Sequence, residues 1–206
     1  LPIAGPNSEE SLRSGLRGAM AALRRREVLR WLAVLEAADL MLDVLHGFLA
    51  LYLVDVVGLG AIEAGLALAV WTGAGLAGDA LLVPLLARVR GAAYLRASAA
   101  AVTLVYPALL VVPSTGAKIG LLAVLGLLNA GWYAIPKAGL YDALPGRSGT
   151  AIAVGSAGGL VGALIPLALG AIADQAGLAP TMWVLVASPV LMLVLVRGWR
   201  SNAGLR

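Results

Sequence analysis

Six long apolar segments, each of a length that can cross a lipid bilayer, constrain the fold of this 206-residue sequence more than any other feature. They run over about 31–54, 64–86, 93–113, 119–136, 150–172 and 180–197. A run of about 20 apolar residues is typical of a transmembrane helix, because backbone polar groups in lipid must pair within their own segment. The fourth segment is short, so Lys118 and Lys137 at its ends are expected to snorkel to the two interfaces. We therefore expect an all-α integral membrane protein with six transmembrane helices.

Composition agrees with membrane insertion and excludes several function classes. Hydrophobic residues make up 61% of the chain and charged residues 13%, too few polar side chains to cover a soluble core of this size. The chain has no cysteine and one histidine, so disulfides are excluded and we expect neither a metal nor another cofactor. The sequence shows no nucleophile–base pair and no phosphate-binding glycine loop, so we do not expect an enzyme.

The basic residues predict the orientation of the helices. All of them except Lys118 fall on one side of the predicted membrane, in the N-terminal segment, two loops and the tail. Asp55, Glu63 and Asp174 fall with Lys118 on the other side. Because cytoplasmic loops carry the excess of Lys and Arg, we expect a multi-pass plasma-membrane protein with both termini of this segment cytoplasmic. The net charge of +4 then reflects insertion, and no nucleic-acid partner is expected.

Two polar regions flank the membrane domain, which we place at residues 29–199. Residues 1–28 are predicted to be a cytoplasmic linker, in which 7–27 have the leucines and arginines of a helix lying on the anionic inner leaflet. A flexible basic linker is the alternative. Residues 200–206 are predicted to be a cytoplasmic tail. The chain opens on Leu1 without a signal-peptide pattern, so we expect an N-terminal part of the protein to precede it.

An internal repeat relates the two halves of the membrane domain. Residues 67–78 (ALAVWTGAGLAG) align with 151–162 (AIAVGSAGGLVG) at an offset of 84, with six identities in twelve positions. The same offset carries the centre of the first segment into the fourth and that of the third into the sixth. Because each copy holds three helices, the second copy enters the membrane from the opposite face. Such a 3+3 inverted repeat is common in secondary transporters, whose sites lie near the midplane.

The stretch at 145–177, PGRSGTAIAVGSAGGLVGALIPLALGAIADQAG, resembles the eleventh helix of major facilitator superfamily (MFS) transporters with its flanks. The superfamily pattern there is an initial Arg-Gly, a glycine-rich helix, a proline within the helix and a closing Gly-x-x-x-Asp-x-x-Gly. The matching residues are Arg147, Gly149, Thr150, the glycines from 155 to 162, Pro166, Gly170, Asp174 and Gly177. Residues 84–91 (PLLARVRG) are similar to the second copy of the superfamily's loop motif through Arg88 and Arg90, although Ala87 stands where that motif has an aspartate.

The resemblance covers roughly residues 10–200 and implies the C-terminal six-helix half, helices 7–12, of a twelve-helix MFS-type bundle. It implies a missing N-terminal six-helix half as partner and transport by rocking of the two halves. We expect proton-coupled efflux of a small amphiphilic or drug-like molecule, as in an antiporter. Proton-coupled uptake of a metabolite is the alternative, and a non-transporting membrane assembly subunit is the alternative from another class.

Four ionisable residues, Glu36, Asp39, Asp43 and His46, interrupt the first apolar segment. At 100° per residue they fall within about 80° of arc, with Asp43 at the middle of the segment. Three central carboxylates cost roughly 8 kcal/mol on the insertion scale, against roughly 5 kcal/mol gained from the segment's Leu, Val and Phe side chains. We therefore expect this acidic face to line a bundle interior or a wet cavity rather than lipid.

Asp39 and Asp43 lie one helical turn apart, and their repulsion and desolvation both favour protonation. His46 lies three residues further and can share a proton with Asp43. We therefore expect a proton-coupling site at Asp43, with Asp39 and His46 as partners. A structural hydrogen-bond network and direct binding of a cationic substrate are the alternatives.

The residues predicted to contribute to the substrate cavity are Glu36, Trp71, Asp79, Asn129, Trp132 and Tyr133. Aromatic side chains with a few polar groups suit an amphiphilic ligand in an apolar cavity. Asp79 has no equivalent in the second repeat, where Ala163 stands, and this asymmetry favours a functional role. Glu36 lies nearer the cytoplasmic interface, where solvation or a salt bridge is the alternative. For the two aromatic residues of the fourth segment, the alternative is anchoring at the membrane interface.

Overall fold

The computed structural model describes residues 18, 20–145 and 148–196, and every regular element in these ranges is helical. The helices are α1 (Arg26–Val56), α2 (Ala61–Leu86), α3 (Gly91–Val111), α4 (Thr115–Leu128), α5 (Ala134–Asp142), α6 (Ser148–Gly162), α7 (Leu164–Ala176), α8 (Leu178–Val184) and α9 (Ala187–Val196). Five stretches of the described chain are long and apolar enough to cross a membrane: α1, α2, α3, α6 with α7, and α8 with α9. These helices indicate a multi-pass membrane protein. The predicted surface helix at 7–27 lies mostly outside the described residues, and the tail at 200–206 lies wholly outside them.

The fourth predicted segment, 119–136, is not one helix. α4 ends at Leu128, the chain turns through residues 129–133, and α5 begins at Ala134. The segments predicted at 150–172 and 180–197 are also interrupted, at residue 163 and at residues 185–186. Pro166 and Pro189 explain these two interruptions, because proline has no N–H to donate to the carbonyl four residues earlier.

α1 is continuous but contains two wider turns, at Leu40–Val44 and Tyr52–Val56. In the first, the Leu45 N–H donates to the carbonyl five residues earlier, as does the Val57 N–H in the second. Such π-turns insert one residue into an α-helix and are frequent at functional sites. The first begins directly after Asp39 and contains Asp43, so the spacing of 100° per residue assumed for the acidic face does not hold there.

α1 is the most widely connected helix of the bundle. It packs against α2, α5, α6 and α9, whereas α3 packs against α4 and α9, and α2 packs most extensively against α4. The core between them is apolar and includes Met41, Leu45 and Leu125. Large apolar side chains on α2 and α7, such as Ile62 and Leu167, are exposed, as expected of surfaces that face lipid or another protein.

Small residues let α2 and α4 approach closely. A Cβ atom built on Gly126 would overlap the Trp71 carbonyl oxygen and lie 3.0 Å from the Gly75 nitrogen. On the other helix, a Cβ atom on Gly78 would lie 3.1 Å from the Leu127 carbonyl oxygen. Because backbone atoms cannot swing aside as side chains do, this crossing requires glycine at both positions.

Gly126→Ala is expected to lower the free energy of unfolding by about 1–3 kcal/mol, because the added methyl group forces the two backbones apart. The matched control is Gly120→Ala on the same helix, where a Cβ atom meets nothing within 4 Å. The control is expected to be neutral or to stabilise the helix by up to about 1 kcal/mol. Unfolding in mixed detergent micelles, followed by circular dichroism, compares the two, and equal effects would contradict the close crossing.

Lys118 does not snorkel to the membrane interface as predicted. Its side chain is buried, and its ammonium group donates to the carbonyl oxygens of Leu109 at 2.7 Å and Leu110 at 3.4 Å. The Tyr52 hydroxyl also donates to the Leu110 oxygen, at 3.3 Å. These bonds satisfy the last carbonyl groups of α3, where a positive charge interacts favourably with the helix dipole.

At the opposite end of the bundle, two arginines also donate hydrogen bonds to carbonyl groups at the ends of helices. Arg25 donates to the Ala143 carbonyl oxygen, just after α5, at 2.9 Å. Arg30 donates to the Leu195 carbonyl oxygen in the last turn of α9. Both residues therefore tie the start of α1 to the C-terminal ends of other helices, in addition to their predicted part in orientation.

Candidate functional site

The four residues of the predicted acidic face of α1, Glu36, Asp39, Asp43 and His46, which we call the stripe, differ in exposure. Asp43 and His46 are exposed on the surface of the described bundle, whereas Glu36 and Asp39 are partly buried. Asp39 lies close enough to Asp43 and Glu36 for the charges to repel one another. Within the described ranges, no group of three or more His, Asp or Glu residues is arranged to hold a metal ion.

Glu36 lies at a helix interface rather than in a cavity. A Cβ atom built on Gly158 of α6 would lie 2.8 Å from one of its carboxylate oxygens, and one on Gly162 would overlap the other oxygen. The carboxylate thus packs on a face of α6 that has no side chains. Glu36 does not line either of the clefts described next, and its predicted place in the substrate cavity stays a prediction.

A cleft of about 290 Å³ lies where α1, α2 and α4 meet. Its polar and aromatic lining residues are His46, Trp71, Thr72, Asp79 and Asn129. Apolar residues and glycines make up the rest of the wall. These positions fall near the middle of the first, second and fourth apolar segments, which corresponds to the depth of the membrane midplane.

A second cleft, of about 320 Å³, adjoins the first beside the break between α4 and α5. The two clefts share Leu42, Asp79 and Asn129 in their walls. The second one adds Trp132 and Tyr133 from the break itself. With one exception, every residue predicted for the substrate cavity therefore lines one of the two clefts.

Asn129 lines both clefts, and its amide group is buried and unpaired. The residue is 6% exposed, and neither its amide nitrogen nor its carbonyl oxygen has a hydrogen-bond partner among the described residues. Buried polar groups are normally paired, because leaving one unpaired costs about 1–3 kcal/mol. A molecule or a water in either cleft could pair with these atoms once the side chain turned towards it.

Asp79 supports the helix break that positions Asn129. Its Oδ1 atom accepts a hydrogen bond of 2.8 Å from the Gly131 N–H. Gly131 has a φ of +69°, in the left-handed region, and a Cβ atom there would overlap the Leu82 side chain. A charged acceptor from α2 thus satisfies a backbone N–H near the end of α4, at a depth where lipid offers no partner.

His46 connects the acidic stripe to the first cleft. Its ring centroid lies 5.4 Å from that of Trp71, with the planes tilted by 34°, a favourable arrangement for two aromatic rings. Asp39 and Asp43 line neither cleft, although Leu42, which is adjacent to Asp43, lines both. The structure therefore brings His46 into contact with the predicted cavity and leaves the two aspartates beside it.

The two aromatic residues of the helix break differ in environment. Trp132 is fully buried and its indole N–H donates to the Ser98 hydroxyl of α3 at 2.9 Å, which does not fit the alternative of an interface anchor. Tyr133 is 47% exposed, and its hydroxyl accepts a hydrogen bond of 2.7 Å from the Lys137 ammonium. This bond raises the pKa of Lys137.

Leu42 and Gly131 are two of the lining residues that were not among the predicted site residues. An asparagine and a glycine within three positions favour a turn, so residues 129–131 carried a signal for the helix break. Leu42 carried none, because any apolar residue suits an apolar helix at that position.

Comparison with protein-family models, with curated proteins and with solved structures found no match to this chain. The resemblance to MFS transporters therefore rests on the sequence stretches quoted above. The helical, membrane-spanning character of the chain has independent support from the length and composition of its helices.

Proposed function

We propose that this chain is the C-terminal six-helix half of an MFS-type secondary transporter, which exports a small amphiphilic molecule in exchange for protons. The observation that carries the proposal is the buried, unpaired amide of Asn129 in a cleft at mid-depth of the apolar segments. A membrane subunit with only a structural role gains nothing from such a group, since packing would pair or replace it. In a transporter, the same amide binds and releases a substrate.

The chemistry of the clefts favours an amphiphilic substrate. Their walls are mostly apolar, and the lining of the first cleft includes the rings of Trp71 and His46 together with Asn129. Such a surface binds an apolar or aromatic body and orients one polar group. Transport rather than catalysis is proposed, because binding needs no nucleophile or general base.

The stripe on α1 supports the coupling to protons. Asp43 and His46 face outward from the described bundle, and in this proposal that face meets the N-terminal six-helix half. Asp39 precedes a π-turn and Asp43 lies within it, and the two carboxylates repel each other, so a proton bound by the pair relieves the repulsion. A carboxylate pair of this kind within membrane-spanning helices is typical of proton pathways.

The contacts between helices support the 3+3 inverted repeat. The last three apolar segments consist of α4 with α5, α6 with α7, and α8 with α9. If the first three segments, α1 to α3, are exchanged with these, the α1–α6 contact corresponds to the contact between α4 and α2. The exchange likewise carries the α1–α9 contact into α4–α3, and the α1–α2 contact into α5–α6. The α3–α9 contact is carried into itself.

Equivalent small residues occupy two of these related interfaces. Ala74 and Gly78 of α2 lie against α4, and the residues at the offset of 84, Gly158 and Gly162, lie against α1. The repeat therefore has support from side-chain packing as well as from sequence identity. The proposed location, in the plasma membrane with both ends of the segment cytoplasmic, depends on the distribution of basic residues.

Cysteine accessibility tests whether water reaches the proposed cavity. The chain contains no cysteine, so Thr72→Cys introduces a single thiol into this part of the protein, at the wall of the first cleft. In membranes containing the full natural gene product, this thiol is expected to react with a water-soluble, membrane-impermeant maleimide. Mass spectrometry of the labelled peptide measures the reaction.

The matched control is Leu104→Cys on α3. Leu104 is 75% exposed and lines neither cleft, so its surroundings in the bilayer are expected to be lipid. It should remain unlabelled in membranes and react after the protein is unfolded. If the two cysteines react equally, or if Thr72→Cys reacts only after unfolding, the water-filled cavity and the transport proposal are both wrong.

A further inference from the structure

A third cavity, of about 670 Å³, lies beside the start of α1, at the opposite end of this helix from Asp55. It is bounded by the start of α1, the end of α2, the start of α3 and the length of α5. This end carries most of the basic residues and is therefore the side predicted to be cytoplasmic. None of the residues predicted for substrate or protons contributes to its wall, although it shares Leu86 and Ala134 with the second cleft.

The polar lining of this inner-end cavity is predominantly cationic. Arg90 and Arg96 both line it, and Asp142 is its one acidic lining residue. All three side chains are exposed, so an incoming charged group can reach them. Two guanidinium groups against one carboxylate favour an anion, and guanidinium groups bind phosphate in a bidentate manner.

The backbone adds to the attraction for an anion. α3 begins at Gly91, and its N-cap residue is Arg90. The Arg90 side chain accepts no hydrogen bond from the N–H groups of the first turn. Gly91, Ala92 and Ala93 of that first turn line the cavity. The partial positive charge at the N-terminal end of a helix therefore acts in the same direction as the two arginines.

The rest of the wall is apolar. Trp31, Leu86, Val89, Ile135 and Ala138 form most of it. A small soluble anion has no use for this surface, whereas an acyl chain covers it. The combination of a cationic end and an apolar wall matches an amphiphile with a phosphate headgroup.

We propose that the inner-end cavity binds an anionic glycerophospholipid of the cytoplasmic leaflet. The phosphate lies between Arg90, Arg96 and the start of α3, and one acyl chain runs along the apolar wall towards Ala138. The bound lipid joins the loop between α2 and α3 to α5. This assignment requires that the helices lie in a bilayer with this end on the cytoplasmic side, and it does not require transport, so it stands or falls separately from the transport proposal.

Native mass spectrometry of the delipidated full-length protein in detergent tests the assignment. Phosphatidylglycerol is expected to bind at least about tenfold more tightly than phosphatidylcholine of the same chain length, because each basic residue near an anionic lipid adds to the attraction. The double variant R90Q/R96Q is expected to lose that preference. The matched control is Arg88→Gln, because Arg88 is an exposed arginine of the same loop that does not line the cavity. This variant should keep the preference for phosphatidylglycerol.

Two further measurements separate a lipid from other occupants. Ala138→Trp fills the apolar part of the cavity without changing its charge, and is expected to weaken phosphatidylglycerol binding although both arginines remain. sn-Glycerol 3-phosphate, which has the headgroup chemistry without acyl chains, is expected not to displace the lipid. Unchanged phosphatidylglycerol binding in R90Q/R96Q or in Ala138→Trp overturns the proposal. Displacement by sn-glycerol 3-phosphate also overturns it and identifies a soluble anion site instead.

Discussion

Asp79→Ala is expected to lower the free energy of unfolding by about 2 kcal/mol, because it removes the charged acceptor of the Gly131 N–H. Gly131 adopts the left-handed conformation that separates α4 from α5, so its N–H takes no part in a regular helix. The Gly131 N–H then has no partner within the protein, and an unpaired backbone group at the depth of the apolar segments is costly. Reversible unfolding in mixed detergent micelles measures the change.

The conservative variant separates the hydrogen bond from the charge. Asp79→Asn keeps a carbonyl oxygen at the position of Oδ1 and is expected to lose about 1 kcal/mol or less, since a neutral acceptor still pairs the Gly131 N–H. If both variants lose the same free energy of unfolding, the negative charge at position 79 stabilises the fold and the hydrogen bond to Gly131 does not. No loss in either would contradict the account of the helix break.

Asp43→Asn is expected to abolish transport driven by a pH gradient while leaving the protein folded. Asparagine matches aspartate in size but cannot take up or release a proton, so the energy of the gradient no longer reaches the substrate. Asp43 is exposed on the described bundle and lines no cleft, and its replacement therefore leaves the core and the substrate walls intact. Downhill exchange of substrate is expected to continue.

The matched control is Asp55→Asn, an exposed aspartate at the far end of the same helix. It makes the same chemical change near the predicted exterior surface, away from the stripe, and coupling of transport to the pH gradient is expected to persist. If the stripe were a structural network, Asp43→Asn would instead reduce the free energy of unfolding and impair both driven transport and exchange.

Much of the fold could be predicted from sequence because a membrane imposes simple requirements on length and polarity. The apolar segments at 31–54, 64–86 and 93–113 correspond to α1, α2 and α3 with shifts of a few residues at most ends. The break in 119–136 was not predicted, because it depends on Asp79, which reaches Gly131 from another helix. The π-turn at Leu40–Val44 has no local signature either. Both features depend on contacts between helices that are distant in the sequence.

The candidate site could be predicted where a polar residue has no reason to lie in an apolar segment. Asp79 and Asn129 satisfied that condition, and both line the clefts. Glu36 satisfied it too, yet its carboxylate packs on glycines of α6, a contact that no pattern within α1 reveals. The buried state of Lys118 was missed for a similar reason, since the carbonyl groups that bind it belong to the end of α3.

The measurement that tests the central claim most directly is accumulation of an amphiphilic cation, ethidium, by proteoliposomes that contain the full natural gene product and carry an imposed pH gradient. The predicted result is accumulation that collapses with a proton ionophore, disappears in Asp43→Asn and persists in Asp55→Asn. Accumulation by Asp43→Asn with the same dependence on the gradient would contradict proton coupling through this stripe.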